Sequence, residues 1–147
     1  MKWWVCLYLL MLPLIPWASE LAVSNGSPWW THFTYMWAHA GWLHYLLNGL
    51  CWVMMWKLLT PARTVTAVLI AAALPSCGTP VVGWSVVLYY YMGLCLAYMP
   101  AAARIRLLLV VGIGFCLPWM AAWHHACMLT AGWLIRKVEV KWLATVR

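Results

Sequence analysis

A serine, an asparagine and five histidines stand out in an otherwise apolar chain: Ser85, Asn48, His32, His39, His44, His124 and His125. A serine hydroxyl is a weak nucleophile until a base takes its proton, and a neutral imidazole does this near neutral pH. The anionic tetrahedral intermediate then needs donors already in place, which a second imidazole and an asparagine amide supply. Ser, His, His and Asn are therefore the parts list for acyl transfer. An orienting carboxylate is not expected, because Glu20 and Glu139 are the only acids and neither falls among these residues. A serine hydrolase built from this set runs on a Ser-His dyad and needs no metal or cofactor.

The surroundings decide whether such residues can meet. Of the 147 residues, 67% are hydrophobic and 7% are charged, where a soluble domain carries about a quarter charged residues. Lipid is the expected solvent. The 14 Trp and 7 Tyr against 2 Phe fit rings that prefer the headgroup level. The net charge of +7 does not indicate nucleic acid, since no basic stripe with stacking aromatics accompanies it. The six cysteines, Cys6, Cys51, Cys77, Cys95, Cys116 and Cys127, form no CxxC pair, so neither a disulfide framework nor a zinc site is expected.

Six apolar segments can be read, at about 3–18, 42–59, 64–75, 82–99, 105–118 and 120–135, with a polar tail over 136–147. Several fall short of the ~20 residues of a full crossing, which local thinning of the bilayer accommodates. The stretches SELAVSNGSP, TPAR, SCGTP, MPAAAR and a tight LPW separate them. The first segment reads as a retained helix rather than a signal peptide, since Pro13 and Pro16 interrupt it and Trp17 spoils a small-residue cleavage pattern. All nine basic residues, Lys2, Lys57, Arg63, Arg104, Arg106, Arg136, Lys137, Lys141 and Arg147, fall at the termini or in the 2–3 and 4–5 links. Positive ends stay cytoplasmic, so both termini are expected there. His32, His39, His44, Asn48, Ser85, His124 and His125 then share one depth in the outer half of the membrane, where polar groups are costly and mark function.

The stretch PWWTHFTYMWAHAGWLHYLLNGL resembles the first loop and second helix of rhomboid intramembrane serine proteases, with His44 and Asn48 as HxxxN and His39 as an earlier loop His. GWSVVLYYYMG is similar to the family's GxSG motif at the start of its fourth helix. Gly83 and Ser85 match, Tyr89 falls where a Tyr packs on the catalytic His, and Gly93 falls where helices pack closely. Val86 stands in place of the final Gly, and Thr31 follows Trp30 where the family often has Arg. AWHHACMLTAGW resembles the sixth helix. His125, with Trp123 two before and Gly132 seven after, is the favoured base, and His124 is the other candidate. Motifs carry the resemblance over 28–48, 78–93 and 119–135, and hydropathy carries the rest.

The resemblance implies a single all-α domain over 1–147, a polytopic rhomboid-like bundle of six transmembrane helices. It implies an intramembrane serine endopeptidase in which His125 activates Ser85. His44, Asn48 and the Ser85 N–H would hold the oxyanion, Gly83 would give the loop backbone room, and His39 would help line the site. The partners implied are the lipid bilayer and the transmembrane segments of substrate proteins, cleaved near the outer face. A bacterial plasma membrane suits so small a core, and these motifs carry no information on oligomeric state. Two other readings stay open: an inactive rhomboid-like binder of membrane helices, and a small transporter or metal-handling protein.

Overall fold

A computed structural model describes residues 3–76, 78–117 and 120–145. Lys2, Cys77, Arg147 and the Pro118–Trp119 part of the LPW link lie outside the described residues. The chain is all-helical. Helices α1 (Trp3–Leu9) and α2 (Ala18–Leu21) flank a 3₁₀ turn at Leu12–Trp17, and together they form the first rod. Pro13 and Pro16 cause that tightening, since each removes a backbone donor. A short α3 (Thr31–Thr34) follows in the long loop. The remaining rods are α4 (Trp42–Met54), α5 (Pro61–Ala73), α6 (Ser85–Cys95, continued as 3₁₀ through Tyr98), α7 (Ala101–Gly114) and α8 (Ala122–Thr145).

Local sequence sets several ends. The Thr60 side chain accepts from the Arg63 N–H and Pro61 opens α5, a favourable N-terminal pair. Pro100 precedes α7 and ends the 3₁₀ extension of α6. The polar tail does not leave the helix: α8 runs on to Thr145.

Cross-contacts fix the direction of each rod. Ser85 at the head of α6 meets His125 near the head of α8, and Gly93 lower on α6 faces Leu129 and Trp133, so these two helices run parallel. The Thr64 and Tyr91 hydroxyls, 2.6 Å apart, place the start of α5 beside the lower half of α6, antiparallel to it. Gly114 at the end of α7 faces Ala122 at the start of α8. Helices α5 to α8 therefore alternate up and down, and His44 packed on Gly83 puts the head of α4 at one end with those of α6 and α8. The described basic residues sit at the other end, where Glu139 pairs with Arg63 and Arg136 at 3.0 Å each.

Helix α6 is the centre of the molecule, buried almost all round from Val86 to Leu94. Its contact with α8 is backbone against backbone. A Cβ at Gly132 would run into the Tyr90 carbonyl and lie 3.1 Å from the Leu94 nitrogen, and one at Gly93 would meet the Leu129 carbonyl. Only glycine allows this approach. The outside is apolar. Leu43, Leu46, Leu47, Leu50 and Val53 on α4 and Ile105, Leu108, Leu109 and Ile113 on α7 are all exposed. Among the described residues one helix, Trp3–Leu21, is long and apolar enough to cross a membrane by itself, while Pro61–Ala73 and Ser85–Tyr98 are apolar but shorter.

Candidate active site

The site forms where the heads of α4, α6 and α8 meet under the long loop. Ser85 is the first residue of α6, and its Oγ lies 3.0 Å from His125 Nε2. With the ring proton on Nδ1, the hydroxyl donates to Nε2, the arrangement general-base attack requires. The Tyr89 ring, one turn below Ser85, stacks on the His125 imidazole at 4.1 Å between centroids and 15° between planes. Stacking fixes the ring plane where no carboxylate does so.

His44 approaches from α4. Gly83 has φ +126°, a conformation L side chains rarely adopt, and a Cβ there would collide with the His44 imidazole. Glycine thus lets the ring come up against the backbone two residues before the serine. The Ala40 N–H donates a long bond of 3.4 Å to His44 Nδ1. An Nδ1 that accepts leaves the proton of a neutral ring on Nε2, which is then a donor. Asn48, one turn along α4, is buried, and its Nδ2 has no hydrogen-bond acceptor among the described residues. His44, Asn48, Ser85, Tyr89 and His125 share one cavity of about 440 Å³, with Leu47, Pro80, Met120 and Ala121 in its wall. As the first residue of α6, Ser85 also has a backbone N–H with no partner inside the helix, at the positive end of its dipole.

Three histidines stand elsewhere. His124 is buried with its ring edge-on to Tyr35 at 5.9 Å, and it lines a separate cavity. Adjacent helix residues point about 100° apart, so only one of His124 and His125 can face Ser85. His39 is fully buried behind His44, with ring centroids 5.3 Å apart, and is not part of the cavity wall. Burial, with His44 beside it, pushes the His39 imidazole down to about 4. His32 lies on α3, away from the cavity.

The loop is sewn to the head of α6 by backbone. Val23 and Val81 exchange hydrogen bonds of 3.0 and 2.8 Å, and the Gly83 N–H donates to the Tyr35 carbonyl at 2.8 Å. The Tyr35 hydroxyl in turn donates to the Ala71 carbonyl at the end of α5. Asn25 Oδ1 accepts from the Ser76 hydroxyl and the Gly78 N–H. Thr31, following Trp30, is buried, and its hydroxyl donates to the Pro28 carbonyl to begin α3.

Trp84 has a positioning role that the sequence reading missed. It is fully buried between Trp37 of the loop and Trp52 of α4, each at 4.9 Å between centroids. This aromatic stack clamps the residue immediately before the nucleophile. A tryptophan between Gly83 and Ser85 is the available signal, but composition alone does not separate it from the interfacial rings. Val86, in the position of the motif's last glycine, is wholly inside the core. Among the described residues, no three His, Cys, Asp or Glu side chains gather closely enough to hold a metal ion. No protein-family model, curated protein or solved structure matches the chain.

Proposed function

We propose that the chain crosses a membrane six times and is an intramembrane serine endopeptidase of the rhomboid type. The observation that carries this reading is the 3.0 Å contact between Ser85 Oγ and His125 Nε2, inside a cavity shared with His44 and Asn48. His125 takes the Ser85 proton as the oxygen attacks the scissile carbonyl. The oxyanion accepts bonds from His44 Nε2, Asn48 Nδ2 and the Ser85 N–H. His125 returns its proton to the leaving amine, and water then hydrolyses the acyl-enzyme with His125 again as base.

The membrane part of the reading is supported by the apolar exterior. Exposed leucines and valines along α4 and α7 form faces that a soluble monomer rarely shows to water. The gathering of basic residues at the end away from Ser85 supports a plasma membrane location with cytoplasmic termini and an outward-facing site. The substrates are then transmembrane segments of other proteins, opened near the outer surface. The inactive alternative draws on Val86, but that side chain lies in the core rather than in the cavity wall.

The test is cleavage in vesicles. The reconstituted protein should cut at least one transmembrane peptide from a library bearing an N-terminal tag, and Ser85→Ala should cut none. Equal product from both proteins would end the serine-protease reading.

A further inference from the structure

The end opposite Ser85 carries a groove that plays no part in catalysis. It runs between the lower end of α6 and the extended part of α8, holds about 360 Å³, and has Gly93, Ala97, Trp133 and Val140 in its apolar wall. Lys137 and Lys141 line the same groove. Trp133, Lys137, Val140, Lys141 and Ala144 follow one another at helical spacing, so they form a single stripe along α8. At its upper end the stripe is the Trp133 indole; below it the two lysines alternate with Val140 and Ala144. Lys137 Nζ stands 3.7 Å from the centre of the Trp133 ring.

Charge decides what fits. Glu139 is the only acid near this end, and both its bonds go to Arg63 and Arg136. It stands two residues from each lysine, on a different face of α8, and does not neutralise them. The groove walls are helical and offer no sheet edge, so an extended peptide finds no ladder of partners for its own amides. A molecule with one anionic group and a long aliphatic chain matches both the lysines and the apolar wall.

We propose that this groove seats one anionic phospholipid, its phosphate on Lys137 and Lys141 and an acyl chain against Trp133, Ala97 and Gly93. The proposal rests on the membrane part of the proposed function and is independent of proteolysis. The phosphate would lie at the cytoplasmic headgroup level, the acyl chain in the hydrocarbon, and the lipid would brace the lower ends of α6 and α8.

Native mass spectrometry of the full chain, released from micelles doped with equal dioleoylphosphatidylglycerol and dioleoylphosphatidylcholine, tests it. One phosphatidylglycerol per chain should be retained in preference to phosphatidylcholine. The preference should fall roughly fivefold for each of Lys137→Ala and Lys141→Ala, the factor a basic residue is worth at an anionic surface. Val140→Trp, which fills the groove and keeps the lysines, should remove the adduct. Equal retention of the two lipids by the wild type overturns the proposal. So does a phosphatidylglycerol adduct that survives Val140→Trp, which would mean diffuse attraction to a basic face. Flotation with phosphatidylcholine vesicles separates the premises. A chain that floats but holds no phosphatidylglycerol loses only the groove, whereas a chain that does not float loses the membrane reading and this proposal with it.

Discussion

Gly132→Val puts the geometry under the most direct strain. The new Cβ would lie 2.9 Å from the Tyr90 carbonyl carbon and 3.1 Å from the Leu94 nitrogen, with the Tyr90 oxygen closer still. These are backbone atoms of a buried helix, so no side chain can swing away. The helices must separate by on the order of 1 Å to restore ordinary contact. His125 sits seven residues above Gly132, about 10.5 Å along α8 at 1.5 Å per residue. A separation of that size opens the 3.0 Å Ser85–His125 contact to roughly 4 Å, beyond hydrogen bonding. A misplacement of this order costs about a hundredfold in rate. The assay is the rate of fluorophosphonate labelling, read beside the thermal midpoint in detergent. Gly112→Val on α7 is the control, because a Cβ there meets nothing within 4 Å. A Gly132→Val protein that is folded and labels at the wild-type rate would refute the claim that this glycine contact sets the dyad distance.

Four other outcomes follow from the same contacts. His44→Ala and Asn48→Ala should each lower the acylation rate by about 10²–10³, as expected for loss of an oxyanion donor, with little change in thermal midpoint for His44→Ala; undiminished rates in both would remove them from the oxyanion site. Val86→Gly should destabilise the protein by about 2–4 kcal/mol through the cavity it leaves, without raising activity; a faster, equally stable variant would contradict this. Tyr35→Phe removes one of two hydrogen bonds to the Ala71 carbonyl, which keeps the Leu74 N–H at 3.2 Å, and should cost about 0.5–1.5 kcal/mol, measured by thermal unfolding. His39, held down to about 4 by burial, binds its proton more weakly folded than unfolded. The His39 contribution to stability should therefore be complete above pH ~6.5 and be lost as pH drops towards 4, by up to about 3 kcal/mol. His39→Leu should flatten that slope, and an unchanged slope would count against it.

Local signals in the chain announced the helices. Hydropathy and the prolines marked the rods, and α5 begins at Pro61 beside its Thr60 cap, three residues before the first apolar position of the stretch read as 64–75. Ends set by tertiary contact were harder. Helix α4 stops at Met54, although the apolar run continues to residue 59. Helix α8 extends past the apolar run because Arg136 can pair with Glu139 three residues on, and both meet partners from α5 and α6. The four-residue step from His44 to Asn48 could be read as one helix face, and the seven-residue step from His125 to Gly132 as one stripe. That Ser85 lies beside His125 rather than His124 depends on how α8 is rotated against α6, which the Gly93 and Gly132 contacts fix. No sequence pattern links Val23 to Val81, Tyr35 to Ala71, or Trp84 to Trp37 and Trp52. Those contacts hold the long loop over the head of α6, and they place His39 behind His44 instead of in the cavity wall.

The central claim is that Ser85 is a nucleophile activated by His125. Fluorophosphonate labelling of the detergent-solubilised protein, with mass spectrometry to locate the adduct, tests it beside Ser85→Ala, His124→Ala and His125→Ala. The expected result is an adduct on Ser85, absent from Ser85→Ala, strongly slowed in His125→Ala and retained in His124→Ala. A folded wild-type protein that takes no label, or label that survives His125→Ala and is lost in His124→Ala, would contradict it.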